Sequence, residues 1–173
     1  MSLRRLACAL GIGGALISST VVAKTDAPPK LGIASFEQLP QPLPLPYDER
    51  ADADRVVADA LKRAKAAHKL LLIDLGGNWC LDCRVLAGTM DLPQLAPWVR
   101  RHFELAMVDI GRFDRNLQIP RRHGVAQLRG VPALLIVDPV TGKVLDDGHA
   151  EALADARSLT PQALADWLAQ WAK

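Results

Sequence analysis

The chain has 173 residues, of which half are hydrophobic, and its 21 Lys and Arg against 19 Asp and Glu give a formal net charge of +2. This length suits one domain with a well-buried core. A charge so close to zero argues against nucleic acid as a partner, because nucleic-acid binding usually shows as a clustered basic excess.

The first 23 residues are typical of a secretory signal peptide. Arg4 and Arg5 precede an apolar run over residues 6–17, and small residues lead to a cleavage site after Ala23. Cleavage would remove two arginines and no acidic residue, so that 19 basic and 19 acidic residues remain. We therefore expect a periplasmic protein without stable membrane insertion after cleavage, with an uncleaved membrane anchor as the alternative.

Residues 24–50 contain six prolines and little hydrophobic periodicity, which predicts an extended lead segment that can lie along the domain surface. The Leu- and Pro-rich stretch 39–46 is typical of a spacer or, alternatively, of a ligand for another protein. A single domain is predicted over residues 51–173.

Helical periodicity first appears over residues 52–68, and the apolar run 70–75 then predicts a central strand buried on both faces. Gly76-Gly77-Asn78 ends this strand, and a helix that contains Cys80 and Cys83 in its first turn is predicted to follow. Two prolines that follow predict an end or kink near Asp91 and a further helix over residues 92–101.

The second half of the chain continues with strands and helices. A strand is predicted over residues 103–109, an arginine-bearing connector with a short helix over 110–129, and a hairpin from 133–138 and 143–145. Thr160 is a candidate N-cap of the last helix, with Pro161 at its first position. This order predicts the α/β class, with a central mixed β-sheet flanked by helices on both faces.

Cys80 and Cys83 carry the strongest chemical signal. Residues three apart lie on one helix face, close enough for a disulfide, and these two are the only cysteines that remain once Cys8 is removed with the signal peptide. A structural disulfide across so short a loop would stabilise little. A closed zinc site would need two further ligands, which no second cysteine pair or nearby histidine pair supplies.

Asp74, the Trp79-Cys80-Leu81-Asp82-Cys83 motif and the run Arg129-Gly130-Val131-Pro132 stand in the order and near the spacing of the thioredoxin-like superfamily, which residues 51–173 resemble. Together these motifs are specific, whereas a lone CxxC is weak evidence. Arg84, the segment 90–93, Trp98 and Phe103 look most like periplasmic thioredoxin-like domains, such as the C-terminal domain of the membrane disulfide reductase DsbD.

The resemblance implies a thioredoxin fold and a thiol–disulfide oxidoreductase that needs no cofactor and no metal. Cys80, at the helix N-terminus, is expected to attack as a thiolate, and Cys83 to resolve the mixed disulfide. Asp74, which the family buries at this position, is expected to accept the proton of Cys83.

The family also implies a docking surface beside the thiols. A cis peptide at Val131-Pro132 would expose the Val131 backbone to an extended substrate, and Trp79 would provide an apolar surface. Leu81 and Asp82, between the cysteines, are expected to tune the redox potential. A negative charge at Asp82 would disfavour a thiolate at Cys80 and make the pair a better reductant.

Two features qualify this interpretation. The connector 110–129 is longer than in a minimal thioredoxin, so it is either a solvated loop or a basic rim that selects acidic partners. The lysine that many thioredoxins carry near the buried carboxylate is missing, with Leu105 and Met107 in that region.

We therefore predict a periplasmic reductant of disulfide-containing client proteins, with a membrane thiol reductase as its electron donor. The alternatives are a disulfide oxidase or isomerase, or a redox-inactive assembly factor that uses the cysteines to bind copper or a client.

Overall fold

The computed structural model describes residues 26–146 and 148–172 of the chain. The predicted signal peptide, residues 1–23, lies outside the described residues. Within the described part, no helix is long and apolar enough to cross a membrane.

A three-stranded mixed sheet forms the centre of the fold. Its strands are β1 (Leu70–Gly76), β2 (Phe103–Asp109) and β3 (Ala133–Val137), arranged in the order β2-β1-β3. β1 runs parallel to β2 and antiparallel to β3. Every residue of β1 and β3 is buried, because both faces of the sheet are covered.

In the described part of the chain, five α-helices pack around this sheet: α1 (Ala53–Ala67), α2 (Leu81–Met90), α3 (Ala96–His102), α4 (Gln118–Arg122) and α5 (Pro161–Ala169). Alternate residues of β1 point to opposite faces. Leu72 packs in a core with α2, α3 and α5, whereas Ile73 packs in a second core with α1 and α4. The predicted fold class, a mixed sheet with helices on both faces, is therefore confirmed.

Two predicted elements differ from the structure. The helix expected to start at residue 92 begins at Ala96, because residues 91–95 form a turn in which the backbone amides of Leu95 and Ala96 donate to the carbonyl oxygen of Leu92. The predicted hairpin is reduced to a single antiparallel bridge between Val137 and Val144. Asp138 accepts hydrogen bonds from the amides of residues 140 and 141, which holds that connection as a turn.

The described part of the lead segment, residues 26–50, packs against the domain and contributes to its cores. Leu39 is buried beside α2 and the 3-10 helix Phe36–Gln38, and Tyr47 is buried in the core on the α1 side of the sheet. Near the start of the lead segment, the backbone amide of Leu31 donates a hydrogen bond to Gln162 of α5. The segment is thus a layer of the folded unit.

Candidate active site

The two cysteines lie at the start of α2, which follows the end of β1 after a short turn. Cys80 is the N-cap residue of α2, and Cys83 lies one turn into the helix. Their Cα atoms are 5.3 Å apart and their sulfur atoms are joined in a disulfide. The pair predicted from the CxxC spacing is therefore formed.

The two sulfur atoms differ in accessibility and in contacts. Cys80 is 6% exposed and Cys83 is fully buried. Cys80 Sγ accepts a hydrogen bond of 3.1 Å from the backbone amide of Cys83, an interaction that would also stabilise a thiolate at this position. Cys80 is thus the sulfur that a second thiol or disulfide can approach, and Cys83 is the internal partner.

Val131 and Pro132 lie directly beside Cys80. Their peptide bond is cis, as the resemblance implied. The carbonyl oxygen of Val131 is 3.6 Å from Cys80 Sγ, and Val131 and Cys80 are both largely buried. In the dithiol state, the Cys80 thiol is therefore placed to donate to this oxygen.

Trp79, which directly precedes Cys80, forms a partly exposed aromatic surface. It is 42% exposed, and its Nε1 donates a 2.7 Å hydrogen bond to the carbonyl oxygen of Gly111. Phe113 lies against it, with ring centroids 6.2 Å apart, and the guanidinium of Arg112 lies 4.9 Å from its ring centroid. Both residues belong to the connector 110–129, whose sequence pattern predicts neither contact.

The connector 110–129 uses other arginines to hold neighbouring elements. Arg115 donates to Asp109 Oδ2 at the end of β2 and to the carbonyl oxygen of Glu49 in the lead segment. Arg122 forms an ion pair of 2.6 Å with Asp54 of α1. These arginines therefore have internal partners, which argues against a fully exposed basic rim.

Asp74 lies in the central strand β1, six residues before Cys80, and is completely buried. Burial raises the pKa of its carboxyl to about 7, and a hydrogen bond from Tyr47 opposes that rise. Its Oδ2 atom has no hydrogen-bond partner among the described residues. Asp74 therefore titrates in the range in which thiol chemistry operates, as its predicted role in proton transfer requires.

Tyr47 is a site residue that the sequence analysis missed. Its hydroxyl donates a 2.8 Å hydrogen bond to Asp74 Oδ1, and the residue is only 3% exposed. It is the only tyrosine of the chain and directly follows the proline-rich stretch, but this pattern does not tell which buried group it reaches.

The environment of Asp82 differs from the one on which its predicted redox role was based. The prediction treated Asp82 as an unpaired negative charge, yet it is 8% exposed. Its Oδ1 accepts hydrogen bonds from the backbone amide of Arg157 at 2.9 Å and from its Nε at 3.0 Å. Arg157 thus offsets the charge of Asp82 and weakens the expected repulsion of a Cys80 thiolate.

Leu81, the other residue between the cysteines, is 44% exposed. It lines one side of a groove of about 560 Å³ between the lead segment and residues 157–160. Elsewhere in the described ranges, no three His, Cys, Asp or Glu side chains group as a metal site would require.

Comparison with known proteins agrees with this site. Residues 52–139 match the family model described as thioredoxin-like. The crystal structure of a disulphide isomerase from Xylella fastidiosa Temecula1 is similar, with 38% sequence identity and a TM-score of 0.68 over 74% of this chain and 97% of that chain. No protein of curated function matches the chain.

A second structure, of a protein of unknown function from Pseudomonas aeruginosa, has 19% identity and a TM-score of 0.38, covering 69% of this chain and 81% of that chain. The chain belongs to the thioredoxin-like family. With its disulfide at CxxC spacing, it is a thiol–disulfide oxidoreductase. The more specific likeness to the DsbD domain stays a prediction.

Proposed function

We propose that the protein acts in the periplasm from its dithiol state and reduces disulfides in client proteins. The observation that carries this proposal is the asymmetry of the pair. Cys80 keeps 6% of its surface exposed and lies against the Val131 carbonyl group, whereas Cys83 is fully buried. Cys80 attacks a client disulfide, the client's first sulfur leaves, and Cys83 then releases the second sulfur by closing the Cys80–Cys83 disulfide.

The charges around the pair favour the reducing direction. No basic residue stands between the cysteines, and Arg157 is engaged by the carboxylate of Asp82. Asp74 adds a buried negative charge when it ionises. A thiolate at Cys80 is therefore stabilised chiefly by the Cys83 amide and the start of α2, and a less stabilised thiolate corresponds to a lower reduction potential.

Each turnover leaves the pair oxidised, so two electrons and two protons must be returned to it. A membrane thiol reductase is the electron donor that we propose, because the periplasm is kept oxidising. Secretion itself is tested by mass spectrometry of the protein recovered from the periplasm. The proposed processing predicts an N-terminus at Lys24, and a form that retains residues 1–23 in the membrane would contradict it.

Disulfide isomerisation is a second candidate, favoured by the 38% identity to the Xylella disulphide isomerase. Isomerisation also begins with attack by a thiolate but returns the catalyst to the dithiol state without net reduction of the client. A reductase consumes two electrons, supplied by one dithiol, for each client disulfide, whereas an isomerase present in catalytic amounts reactivates a scrambled client without net consumption of electrons.

Equilibration with glutathione tests the direction. The proposal predicts a reduction potential of the Cys80–Cys83 pair below about −200 mV, in the range of reducing thioredoxin-fold proteins. A potential near about −120 mV, typical of a strong oxidant, would contradict it. Insulin reduction and reactivation of scrambled ribonuclease, each compared with Cys80→Ser, then separate the reductase from the isomerase.

A further inference from the structure

Tyr47 comes from the lead segment, outside the sheet and the cysteine helix, and yet its hydroxyl lies at the centre of the site. It donates to Asp74 Oδ1 at 2.8 Å, and both residues are buried. The other carboxylate oxygen, Oδ2, has no partner among the described residues. One oxygen of Asp74 is therefore occupied by a donor, and the other remains available for a proton.

Two residues that flank the cysteines hold the lead segment in place. Asn78 forms a reciprocal pair with the backbone of Tyr47, accepting from its amide at 3.2 Å and donating to its carbonyl oxygen at 2.8 Å. Arg84, next to Cys83, donates to the carbonyl oxygens of Leu43 and Pro44 at 2.9 and 3.1 Å. The position of Tyr47 is thus coupled to both ends of the CxxC turn.

Gly76 shows how closely Tyr47 approaches Cys83. A methyl group placed on Gly76 would overlap the Tyr47 hydroxyl and would come within 2.8 Å of Cys83 Sγ. The hydroxyl and the sulfur therefore lie against the same small space at the end of β1, which only glycine leaves open.

We infer that Tyr47 is a positioning residue for proton transfer: it holds Asp74 Oδ1 so that Oδ2 serves as the base for Cys83. In the resolving step, the Cys83 thiol gives its proton to Asp74 Oδ2, and the thiolate attacks Cys80 Sγ. The Cys80–client bond breaks, and the client sulfur leaves as a thiolate that takes a proton from water. The dithiol supplies the two electrons that reduce the client disulfide.

The physical reason is the preference of the hydrogen bond for the ionised carboxylate. A donor at Oδ1 lowers the pKa of Asp74 against the effect of burial, so loss of the hydroxyl would leave the carboxyl protonated to higher pH. The other ionisable groups near Tyr47 and Asp74 are the two cysteines and Asp109. The negative charge of Asp109 raises the pKa of Tyr47, and Asp109 itself forms an ion pair with Arg115. A protonated Asp74 is no base for Cys83.

The test is the pH dependence of single-turnover client reduction, with release of the mixed disulfide as the measured step. Tyr47→Phe keeps the buried ring and removes the hydroxyl. We expect its pH midpoint to move upward by about one unit, and infrared titration of the Asp74 carboxyl in the oxidised protein to move in parallel. The shift should vanish when Tyr47→Phe is combined with Asp74→Asn.

A slower rate of release with an unchanged pH midpoint in Tyr47→Phe would show a purely structural role and overturn the inference. The same would follow if Tyr47→Phe had an equal effect with Asp74 and with Asn at that position. Because Tyr47 is the only tyrosine, 3-fluorotyrosine can replace it in the intact fold. This more acidic phenol is a stronger donor and should move the Asp74 midpoint downward; no movement would equally overturn the inference.

The inference rests on dithiol chemistry at the pair, and the two failures are distinguishable. If the wild-type protein reduced no disulfide, the proposed function would fail, while the Asp74 titration would still report on Tyr47. If the wild-type protein were active and neither Tyr47 change moved the titration, only the inference would fail.

Discussion

The carboxylate of Asp82, between the two cysteines, is bound by Arg157 from the far end of the chain. Arg157 belongs to the 3-10 helix Ala156–Ser158 and donates both its backbone amide and its Nε to the same oxygen, Asp82 Oδ1. The residue that would otherwise repel a thiolate at Cys80 is therefore paired, and breaking this pair from either side should have opposite consequences.

Removal of Arg157 should make the cysteine pair more reducing. Arg157→Ala leaves the negative charge of Asp82 uncompensated next to Cys80 and disfavours the thiolate, whereas Asp82→Asn leaves the positive charge of Arg157 and favours it. We expect shifts in reduction potential of about 10–20 mV, negative for the first variant and positive for the second. Glutathione equilibration measures both, and shifts of the same sign would contradict the electrostatic account.

Asp74 should lower the stability of the oxidised protein as the pH rises. Its pKa is about 7 in the fold and 3.8 as an unperturbed carboxyl, so the folded state holds a proton that the unfolded chain releases between these values. Stability is thus highest below about pH 4 as far as this group is concerned, and the loss at pH 8 is about 4 kcal/mol at most.

Asp74→Asn should remove this dependence, because the amide cannot ionise and its oxygen still accepts from Tyr47. Urea unfolding of the two oxidised proteins from pH 4 to 9 measures the difference. We expect the unfolding free energy of the variant to rise relative to that of the wild type with increasing pH. A constant difference between the two unfolding free energies across the range would mean that Asp74 is not the titrating group.

Gly76→Ala should destabilise the fold, since the new methyl group meets the Tyr47 hydroxyl and Cys83 Sγ in a rigid, buried strand. Overpacking of this kind costs roughly 1–3 kcal/mol. Gly32→Ala is the matched control, because its methyl group would find only ordinary contact, 3.5 Å from the side chain of Gln94. Equal unfolding free energies for the two variants would show that the space at Gly76 is not constrained.

Trp79→Ala should weaken client docking without impairing the thiols themselves. The exposed surface that Trp79 forms with Phe113 and Arg112 would be lost, so KM for a protein client should rise by about three- to tenfold, as expected for one partly buried aromatic contact. Exchange with oxidised glutathione, which does not need that surface, should keep its rate.

Val140→Ala is the control for Trp79, since Val140 is an exposed apolar residue beyond the end of β3, which pairs with the start of β1, whereas the cysteines follow the end of β1. An unchanged KM in Trp79→Ala would mean that clients dock elsewhere.

Sequence reasoning succeeded where the signal is local. The bounds of β2 are those predicted, Thr160 caps α5 through its side chain as predicted, and the cysteine spacing correctly predicted the disulfide. These features depend on residues within a few positions of each other, so periodicity, capping chemistry and motif spacing are sufficient to identify them.

The missed contacts join residues that are distant in the chain. Tyr47 reaches Asp74 across 27 positions and Arg157 reaches Asp82 across 75, and no local pattern indicates either partner. The same holds for the lead segment, whose proline content indicates an extended backbone but not the surface on which it packs. The sequence therefore predicts the reactive groups of the site, whereas the residues that control the charges of these groups can be identified only from the structure.

The most direct test of the central claim, that Cys80 attacks and Cys83 resolves, is the trapping of a mixed disulfide with a protein client. In chains that also carry Cys8→Ser, the reduced Cys83→Ser variant should accumulate a client-linked species joined through Cys80, as mass spectrometry of the peptides would show. Cys80→Ser should accumulate none. Trapping by Cys80→Ser at a rate equal to that of Cys83→Ser would contradict the account.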